Sequence, residues 1–198
     1  MSLSKPVPRK HMHTRSIHYQ GFEREDGLWD IEGHLIDTKT YPIKNAWRTS
    51  IAAGEPLHEM LVRVTVDGGF TIQDVEAVTL NSPFQICPDI TPNYKALIGV
   101  QMGPGWRTKI RQIVGGVKGC THITELLFPM ATVAFQTMSP FRKKMEGKQG
   151  AEEGSTDGGK KQRPFVLNTC HAWATDSEVV KVHEPDFYTG PGARDKGE

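Results

Sequence analysis

Apolar and polar residues alternate in the first part of the chain, a pattern that is typical of β-strands with one buried face. Within residues 28–38, Trp29 and Ile31 fall on one face and the other face is polar. Residues 16–25 form an earlier β-like stretch, and Asp26-Gly27, a dipeptide that favours a tight hairpin turn, separates the two stretches. We therefore predict a hairpin of two antiparallel strands.

The next two alternating stretches predict a second pair of strands. Residues 58–66 place apolar side chains at every second position, and the turn Asp67-Gly68-Gly69 leads into residues 70–80. In the later stretch the alternation changes phase near Gln73, which indicates a β-bulge. Four strands are therefore expected in one antiparallel sheet.

Helical signals replace alternation in the following part of the chain. Thr91-Pro92 supplies an N-cap residue followed by proline at the first helical position, and glycines flank a second helix over residues 106–114. Residues 121–136 form the longest predicted helix, with helical spacing of Ile123, Leu126, Leu127, Met130 and Ala134. We predict an α+β fold in which about three helices cover one face of an antiparallel sheet of about four strands.

The length of the chain predicts a single domain over residues 1–198, with a second small lobe possible. Residues 1–14 are interpreted as an extended arm, and residues 187–198 as a tail. Residues 142–162 are rich in glycine and charge and poor in apolar side chains, which is typical of a mobile insertion. A short strand is expected over residues 178–182.

Composition and charge narrow the class of protein. The net charge of +1 gives no electrostatic reason to expect nucleic acid or a membrane as a partner. The N-terminus lacks the pattern of a secretory signal, and three cysteines without regular spacing favour a reducing cytoplasm over a disulfide framework. No glycine-rich fingerprint follows a strand, so we expect no NAD, FAD or ATP.

The richest concentration of reactive side chains lies at residues 119–127, where Cys120, His122 and Glu125 fall at the start of the longest helix. A thiol at a helix N-terminus favours the thiolate, and His122 could act as its base. On a helix, however, Cys120 and His122 diverge by roughly 200°. The base could equally come from His58, His34 or His171, and Cys120 could instead be a buried core thiol.

The polar face of the second strand carries Asp30, Glu32 and His34. This row could be the solvated outer face of the sheet, or it could line a pocket and act as a general acid or base. We expect the pocket to lie between this face and the start of the longest helix. There the catalytic residues would be His122, Glu125, His34, Glu32, Asp30 and Cys120, with His122 or His34 as general acid/base.

Two arginines at helical spacing, Arg107 and Arg111, share one face of the second predicted helix. They could bind an anionic substrate, such as a carboxylate or the phosphates of coenzyme A, or they could simply belong to an exposed basic face.

The chain also carries side chains that bind zinc or iron. One candidate ligand set is Cys87, Cys120, His122 and His58. No Cys-x-x-Cys or His-Glu-x-x-His motif accompanies it. The sequence is therefore equally consistent with a protein that requires no cofactor. His11 and His13, two apart, could form a metal pair on a strand or belong to a solvated arm.

Two segments carry a family resemblance. Residues 24–39 (REDGLWDIEGHLIDTK) and 119–127 (GCTHITELL), with Ile86-Cys87-Pro88 between them, resemble a bacterial family of uncharacterised proteins known as a domain of unknown function. The resemblance covers nearly the whole chain except residues 142–162. It implies a bacterial, cytoplasmic and catabolic setting, in aromatic-acid or acyl-CoA breakdown, and it assigns no catalytic residue.

A second resemblance concerns architecture alone. Residues 58–136 are similar in element order to the U-type iron–sulfur scaffold fold, on which Cys87 and Cys120 would match two of the scaffold's thiols. The scaffold's middle cysteine has no counterpart here, and His122 follows the helix cysteine instead of preceding it.

The sequence favours two functions. The first is a small catabolic enzyme, a lyase or hydrolase, that acts on an aromatic acid or an acyl-thioester-derived small molecule by general acid/base chemistry. The second is a metal- or iron–sulfur-binding accessory protein. A regulatory or assembly subunit is a third interpretation, and a homo-oligomer is compatible with all three.

Overall fold

The structure is a computed structural model that describes residues 3–152, 163–164 and 166–193, with side chains left undescribed over 140–152. The described strands are β1 (His13–Glu23), β2 (Trp29–Lys39), β3 (Ile43–Asn45), β4 (Thr49–Ile51), β5 (Pro56–Val66) and β6 (Ile72–Asn81). The described α-helices are α1 (Trp106–Val114), α2 (Thr121–Glu152) and α3 (Glu178–His183). A 3₁₀ segment, Cys87–Leu97, joins β6 to α1 and occupies the place of the first predicted helix.

The main sheet has the strand order β1-β2-β5-β6, and every neighbouring pair is antiparallel. The predicted hairpin is confirmed, with His18 opposite His34 and Gly27 at a φ of 81° in the turn. The bulge is confirmed as well, since Thr65 pairs with Asp74 while Val66 pairs with Ile72. Between β2 and β5, where the sequence looked irregular, β3 and β4 form a second, two-stranded sheet.

The α+β prediction is confirmed: one face of the main sheet is buried by the 3₁₀ segment, α1 and α2. Alternate residues of β2 and β5 form the sheet side of this core, and α2 contributes Leu126, Leu127 and Met130, all fully buried. This burial of apolar surface is the dominant favourable contribution to folding.

Glycine at position 33 lets α2 come close to the sheet. A Cβ there would lie 2.8 Å from Met130 Cε and 2.9 Å from the Tyr19 ring. Gly33 therefore marks the side of β2 that faces the helix. Because side chains alternate along a strand, Ile31, Leu35 and Asp37 point to that same side.

Contacts divide the chain into two compact units, Met1–Gly147 and Lys148–Glu198. The second unit has its own small core of Leu167, Val180 and Tyr188. The strand expected over 178–182 is wrong: this stretch is helix α3, which begins because the Ser177 hydroxyl accepts a hydrogen bond from Val180 N–H.

The predictions for the two ends of the chain and for the insertion agree with the structure only in part. Residues 3–12 are exposed, as expected for an arm, but the last two residues of the predicted arm, 13 and 14, already belong to β1. The backbone of α2 is helical to Glu152, where a mobile insertion was expected from 142, and residues 153–162 lie outside the described residues. Within 187–193, Tyr188 is buried and therefore is not part of a loose tail.

Two further observations concern the described residues. Cys87, Cys120 and Cys170 are all free thiols. Among the helices described, none is both long enough and apolar enough to cross a lipid bilayer.

Candidate functional site

A buried carboxylate, Asp37, lies at the centre of a polar cluster on the helix side of the sheet. It stands near the end of β2, opposite Arg15 on β1 and opposite His58 on β5. The first turns of α2 add His122 and Glu125. Three adjacent strands and one helix therefore meet at a single carboxylate.

Arg15 and His13 hold Asp37 in its ionised form. Arg15 donates from Nε to Oδ1 and from Nη2 to Oδ2, both at 2.8 Å, and His13 Nε2 donates to Oδ1 at 3.0 Å. Burial alone would raise the pKa of Asp37, but these hydrogen bonds and charges outweigh it and lower the pKa to about 2. The carboxylate is therefore ionised at neutral pH.

Two imidazole rings lie against the other side of this carboxylate. His58 Nδ1 is 3.3 Å and His122 Nε2 is 3.6 Å from the same atom, Asp37 Oδ2, and the two rings stack with centroids 3.8 Å apart. Burial, reinforced by the neighbouring His122, lowers the pKa of His58 to about 4. Burial also lowers the pKa of His122, although Asp37 opposes the shift. Near pH 7 both rings are neutral and offer nitrogen lone pairs.

The His58 Nδ1 atom is buried and makes no hydrogen bond among the described residues, although Asp37 Oδ2 lies 3.3 Å away. A buried polar atom without a partner is costly, so it calls for an explanation. Asp37, His58 and His122 also form the one group of three or more potential metal ligands found in the described parts of the chain, with ligand atoms within 4.8 Å of one another.

The spacing of these three atoms suits a divalent transition metal. Ligands at about 2.0–2.1 Å from a tetrahedral zinc ion lie roughly 3.3 Å from each other, and two of the distances here are 3.3 and 3.6 Å. Two histidines and one carboxylate are ligands for both zinc and non-haem iron(II). The residues therefore fit such an ion.

Cys120 belongs to the surroundings of His122. Its Sγ lies 3.8 Å from His122 Nδ1, the ring nitrogen that does not face Asp37. The divergence expected from helical geometry does not apply, because Cys120 precedes the first helical residue, Thr121. The Tyr94 hydroxyl fixes this junction by accepting a hydrogen bond from Cys120 N–H at 2.8 Å and donating to the Cys120 carbonyl at 2.9 Å.

The predicted pocket between the polar face of β2 and the start of α2 is wrong. Asp30, Glu32 and His34 alternate with Gly33 and therefore point to the opposite face of the sheet from His122. There they bond to Thr65, Arg63 and Glu59, respectively. Glu32 and His34 also line a cavity of about 280 Å³ on that face. Their catalytic roles stay predictions without support from a shared site.

The other predicted site residues have separate positions. Arg107 and Arg111 lie over the Phe128 ring, 5.3 and 5.2 Å from its centroid. Arg107 lines a cavity of about 510 Å³ whose lining residues include none of the Asp37 cluster. Cys87 begins the 3₁₀ segment and is not a member of the ligand group, so of the predicted metal set His58 and His122 belong to that group and Cys120 lies beside His122.

Asp37 and Arg15 were missed as site residues, and His13 was considered only as one half of a metal pair with His11. A usable signal existed, because Asp37 continues the apolar phase of Trp29, Ile31 and Leu35 along β2. A carboxylate that points to the buried face of a strand must be paired with an opposite charge or with hydrogen-bond donors, or it must bind a metal.

Comparison with known proteins yields a family but no characterised relative. No curated protein and no solved structure matches the chain. A family model described as protein of unknown function, DUF2889, matches residues 13–136. That region covers well over half of the chain and contains every residue of the Asp37 cluster. The chain therefore belongs to the DUF2889 family.

Proposed function

We propose that this protein is a small metal-dependent enzyme, a hydrolase or lyase, whose reacting centre is a divalent ion held by Asp37, His58 and His122. The observation that carries the proposal is the convergence of three ligand atoms in which His58 Nδ1 is buried without a hydrogen bond. A bound ion would give that nitrogen the partner it lacks.

The surrounding residues suit a metal centre in their chemistry. Arg15 and His13 bond to the carboxylate ligand, and Cys120 lies beside the outer nitrogen of His122. Such outer contacts fix the orientation and tautomer of ligands in metal sites. When bound, the ion would supply a water molecule of lowered pKa or polarise a carbonyl group.

His13 is the candidate for proton transfer in this centre. Its Nε2 donates to Asp37, so in the neutral ring Nδ1 is the atom that accepts a proton. The side chain is part-exposed and not among the three proposed ligands. His13 would therefore act in place of His34, which lies on the other face of the sheet.

The resemblance of residues 24–39 and 119–127 supports a bacterial, cytoplasmic and catabolic setting. Within it, an aromatic acid or an acyl-thioester-derived compound is the proposed substrate. No nucleotide cofactor is part of this proposal. A metal-binding accessory role would use the same three ligands, and the geometry offers no support for a cluster on Cys87 and Cys120.

A second candidate is an acid/base enzyme without a metal. The lowered pKa of His122 favours it, because a neutral imidazole beside a carboxylate can accept a proton at pH 7.

Metal titration separates these candidates. Full-length protein, stripped with a chelator, is titrated with Zn²⁺, Fe²⁺ and Co²⁺, with the visible absorption of Co²⁺ reporting the ligand geometry. We expect one ion per chain and a loss of affinity greater than about 100-fold in Asp37→Asn or His58→Gln, since even outer-shell changes cost roughly 10–100-fold. His34→Gln is the matched control, because His34 also pairs with a carboxylate but on the other face.

Two results would contradict the proposal. One is the absence of stoichiometric binding, which leaves the metal-free acid/base enzyme. The other is equal loss of affinity in His34→Gln and His58→Gln, which would place the ion elsewhere.

A further inference from the structure

We propose that Arg15 binds the carboxylate group of the substrate and that Glu125 occupies this position until the substrate displaces it. The inference rests on the proposed function for the position of the reacting centre. It identifies the substrate class as a small carboxylic acid, from the hydrogen-bonding edges of one guanidinium group.

The two edges of the Arg15 guanidinium have different partners. Asp37 takes the side edge with two hydrogen bonds, one from Nε and one from Nη2. Glu125 accepts one bond, from Nη1 at 2.6 Å, and Nη1 together with Nη2 forms the end edge. These are the bonds of Arg15 within the described residues, so the end edge has donors left for a second carboxylate oxygen.

Exposure changes across the same group. The side-chain exposure is 3% for Asp37, 33% for Arg15 and 45% for Glu125. The side edge of Arg15, which bonds Asp37, is therefore a fixed part of the site, whereas the end edge meets solvent. An ion pair as exposed as Arg15–Glu125 contributes little free energy. Competition from Glu125 therefore lowers the affinity of Arg15 for a substrate carboxylate by no more than about fivefold.

An incoming carboxylate can bond the end edge more completely than Glu125 does. Parallel bonds to Nη1 and Nη2 would give the two-point geometry that arginine and carboxylates favour. Charge favours the exchange too, since Arg15 already neutralises Asp37 and a divalent ion would leave the centre positive.

The position of Arg15 limits the size of the substrate. Nη2 is 2.8 Å from Asp37 Oδ2, the proposed ligand atom. A carboxylate oxygen on the end edge would then lie within about 8 Å of the ion, given usual bond lengths at both contacts. The carboxylate and the reacting bond therefore belong to the same small molecule, a few bonds apart. Arg107 and Arg111, at the Phe128 ring, are not needed for this role.

The experiment measures carboxylate binding in full-length protein, both ion-free and Zn²⁺-loaded. The probes are acetate and benzoate, with acetamide and benzamide as uncharged matches, and nuclear magnetic resonance of the arginine Nε–H signals is the readout. We expect the acids to bind and the amides not to bind. Glu125→Gln should tighten acetate binding up to about fivefold, because the competing carboxylate is removed.

Glu76→Gln is the matched control, since Glu76 bonds Arg63 on the opposite face of the same sheet. It should leave acetate affinity unchanged. Arg15→Lys should weaken acetate binding about tenfold while keeping the charge, because lysine lacks the planar fork. Glu125→Ala repeats the test if the glutamine still bonds Arg15.

The outcomes separate this inference from the proposed function. In one outcome, acetate binds only when Zn²⁺ is present, and neither Glu125→Gln nor Arg15→Lys changes its affinity. The acid would then be a ligand of the ion, which overturns the Arg15 site but not the metal site. Amides that bind as well as acids overturn it also. Acetate binding to ion-free protein that follows Glu125 and Arg15 supports it, even if no ion binds and the proposed function fails.

Discussion

At the scale of single residues, Asp37 determines which neighbours the fold must supply. A buried ionised carboxylate is costly unless donors surround it, and Arg15 gives two of them. Removing one partner of such a pair leaves an uncompensated charge, which destabilises more than removing an exposed pair does.

Replacement of Arg15 by methionine tests this dependence. We expect Arg15→Met to lower the free energy of unfolding by about 2–3 kcal/mol, below the usual cost for a fully buried pair because His13 still bonds Asp37. Urea denaturation of ion-free protein measures it. Arg63→Met, which breaks exposed pairs with Glu32 and Glu76, should cost less than about 1 kcal/mol. Equal costs would mean that Asp37 does not depend on Arg15.

The pH dependence of stability provides a second test on ion-free protein. His58 has a pKa of about 4 in the folded state, below its ordinary 6.5, so below pH 6.5 the unfolded chain binds more protons than the folded one. The free energy of unfolding should therefore fall as the pH decreases from about 6.5 to about 4. Asp37, with a pKa lowered to about 2, acts in the same direction at lower pH.

Denaturant titrations at several pH values measure this dependence, with a chelator present throughout. His58→Asn should flatten the curve between pH 6.5 and 4. The wild-type protein under the same conditions is the reference for the slope. An unchanged slope in His58→Asn would show that His58 is not the group that resists protonation.

The sequence identified part of the site at this scale. His58, Cys120, His122 and Glu125 could be singled out by residue type and position. Their convergence could not, since it depends on how strands far apart in sequence pair. Asp37 was not predicted as a site residue, because the predicted site lay on the polar face of β2 and Asp37 belongs to its apolar phase.

At the scale of elements, the junction before α2 controls where His122 is placed. Gly119 packs so closely that a Cβ would lie 2.2 Å from the backbone oxygen of Val114, an atom that cannot move aside alone. Tyr94 then bonds the backbone of Cys120 on both sides. The start of the helix is fixed by backbone contacts more than by its own propensity.

Gly119→Ala should therefore displace the start of α2. We expect a loss of stability of about 1–3 kcal/mol, the usual cost of overpacking, and weaker Zn²⁺ binding because His122 moves. Thermal unfolding and metal titration measure the two effects. Gly68→Ala is the control, since nothing lies within 4 Å of its added Cβ. A fully tolerated Gly119→Ala would show that the junction is adaptable.

Elements were predicted well where periodicity was strong. The hairpin, the bulge and the main helices all followed from local spacing of apolar side chains and turn residues. Helix α3 was predicted as a strand because its valines favour strands. The Ser177 side chain, which caps the N-terminus, stabilises the helix instead. The short hairpin of β3 and β4 has too few residues to show alternation.

At the scale of the whole molecule, the proposed site belongs to the first compact unit alone. Its ligands, Arg15 and the large core all lie within Met1–Gly147. The second unit has a separate core around Val180. The sequence predicted one domain and left a second small lobe possible, because composition does not reveal which apolar residues meet.

A chain ending at Gly147 should keep the fold and the site. We expect circular dichroism and cooperative thermal unfolding typical of a folded protein, and Zn²⁺ affinity within about threefold of the full-length value, since no ligand is removed. The full-length protein is the reference. A fragment that folds but no longer binds Zn²⁺ would show that the second unit contributes to the site.

β1 is an edge strand whose one sheet neighbour among the described strands is β2, and His13 and Arg15 stand at its first residues, after an exposed arm. Edge-strand ends open locally at far lower free energy than the core, on timescales seen by amide hydrogen exchange. Fraying of a few residues would detach both side chains from Asp37 while His122 on α2 and His58 on β5 stay in place. The part of the site proposed to bind the substrate carboxylate is thus also the part that can open locally.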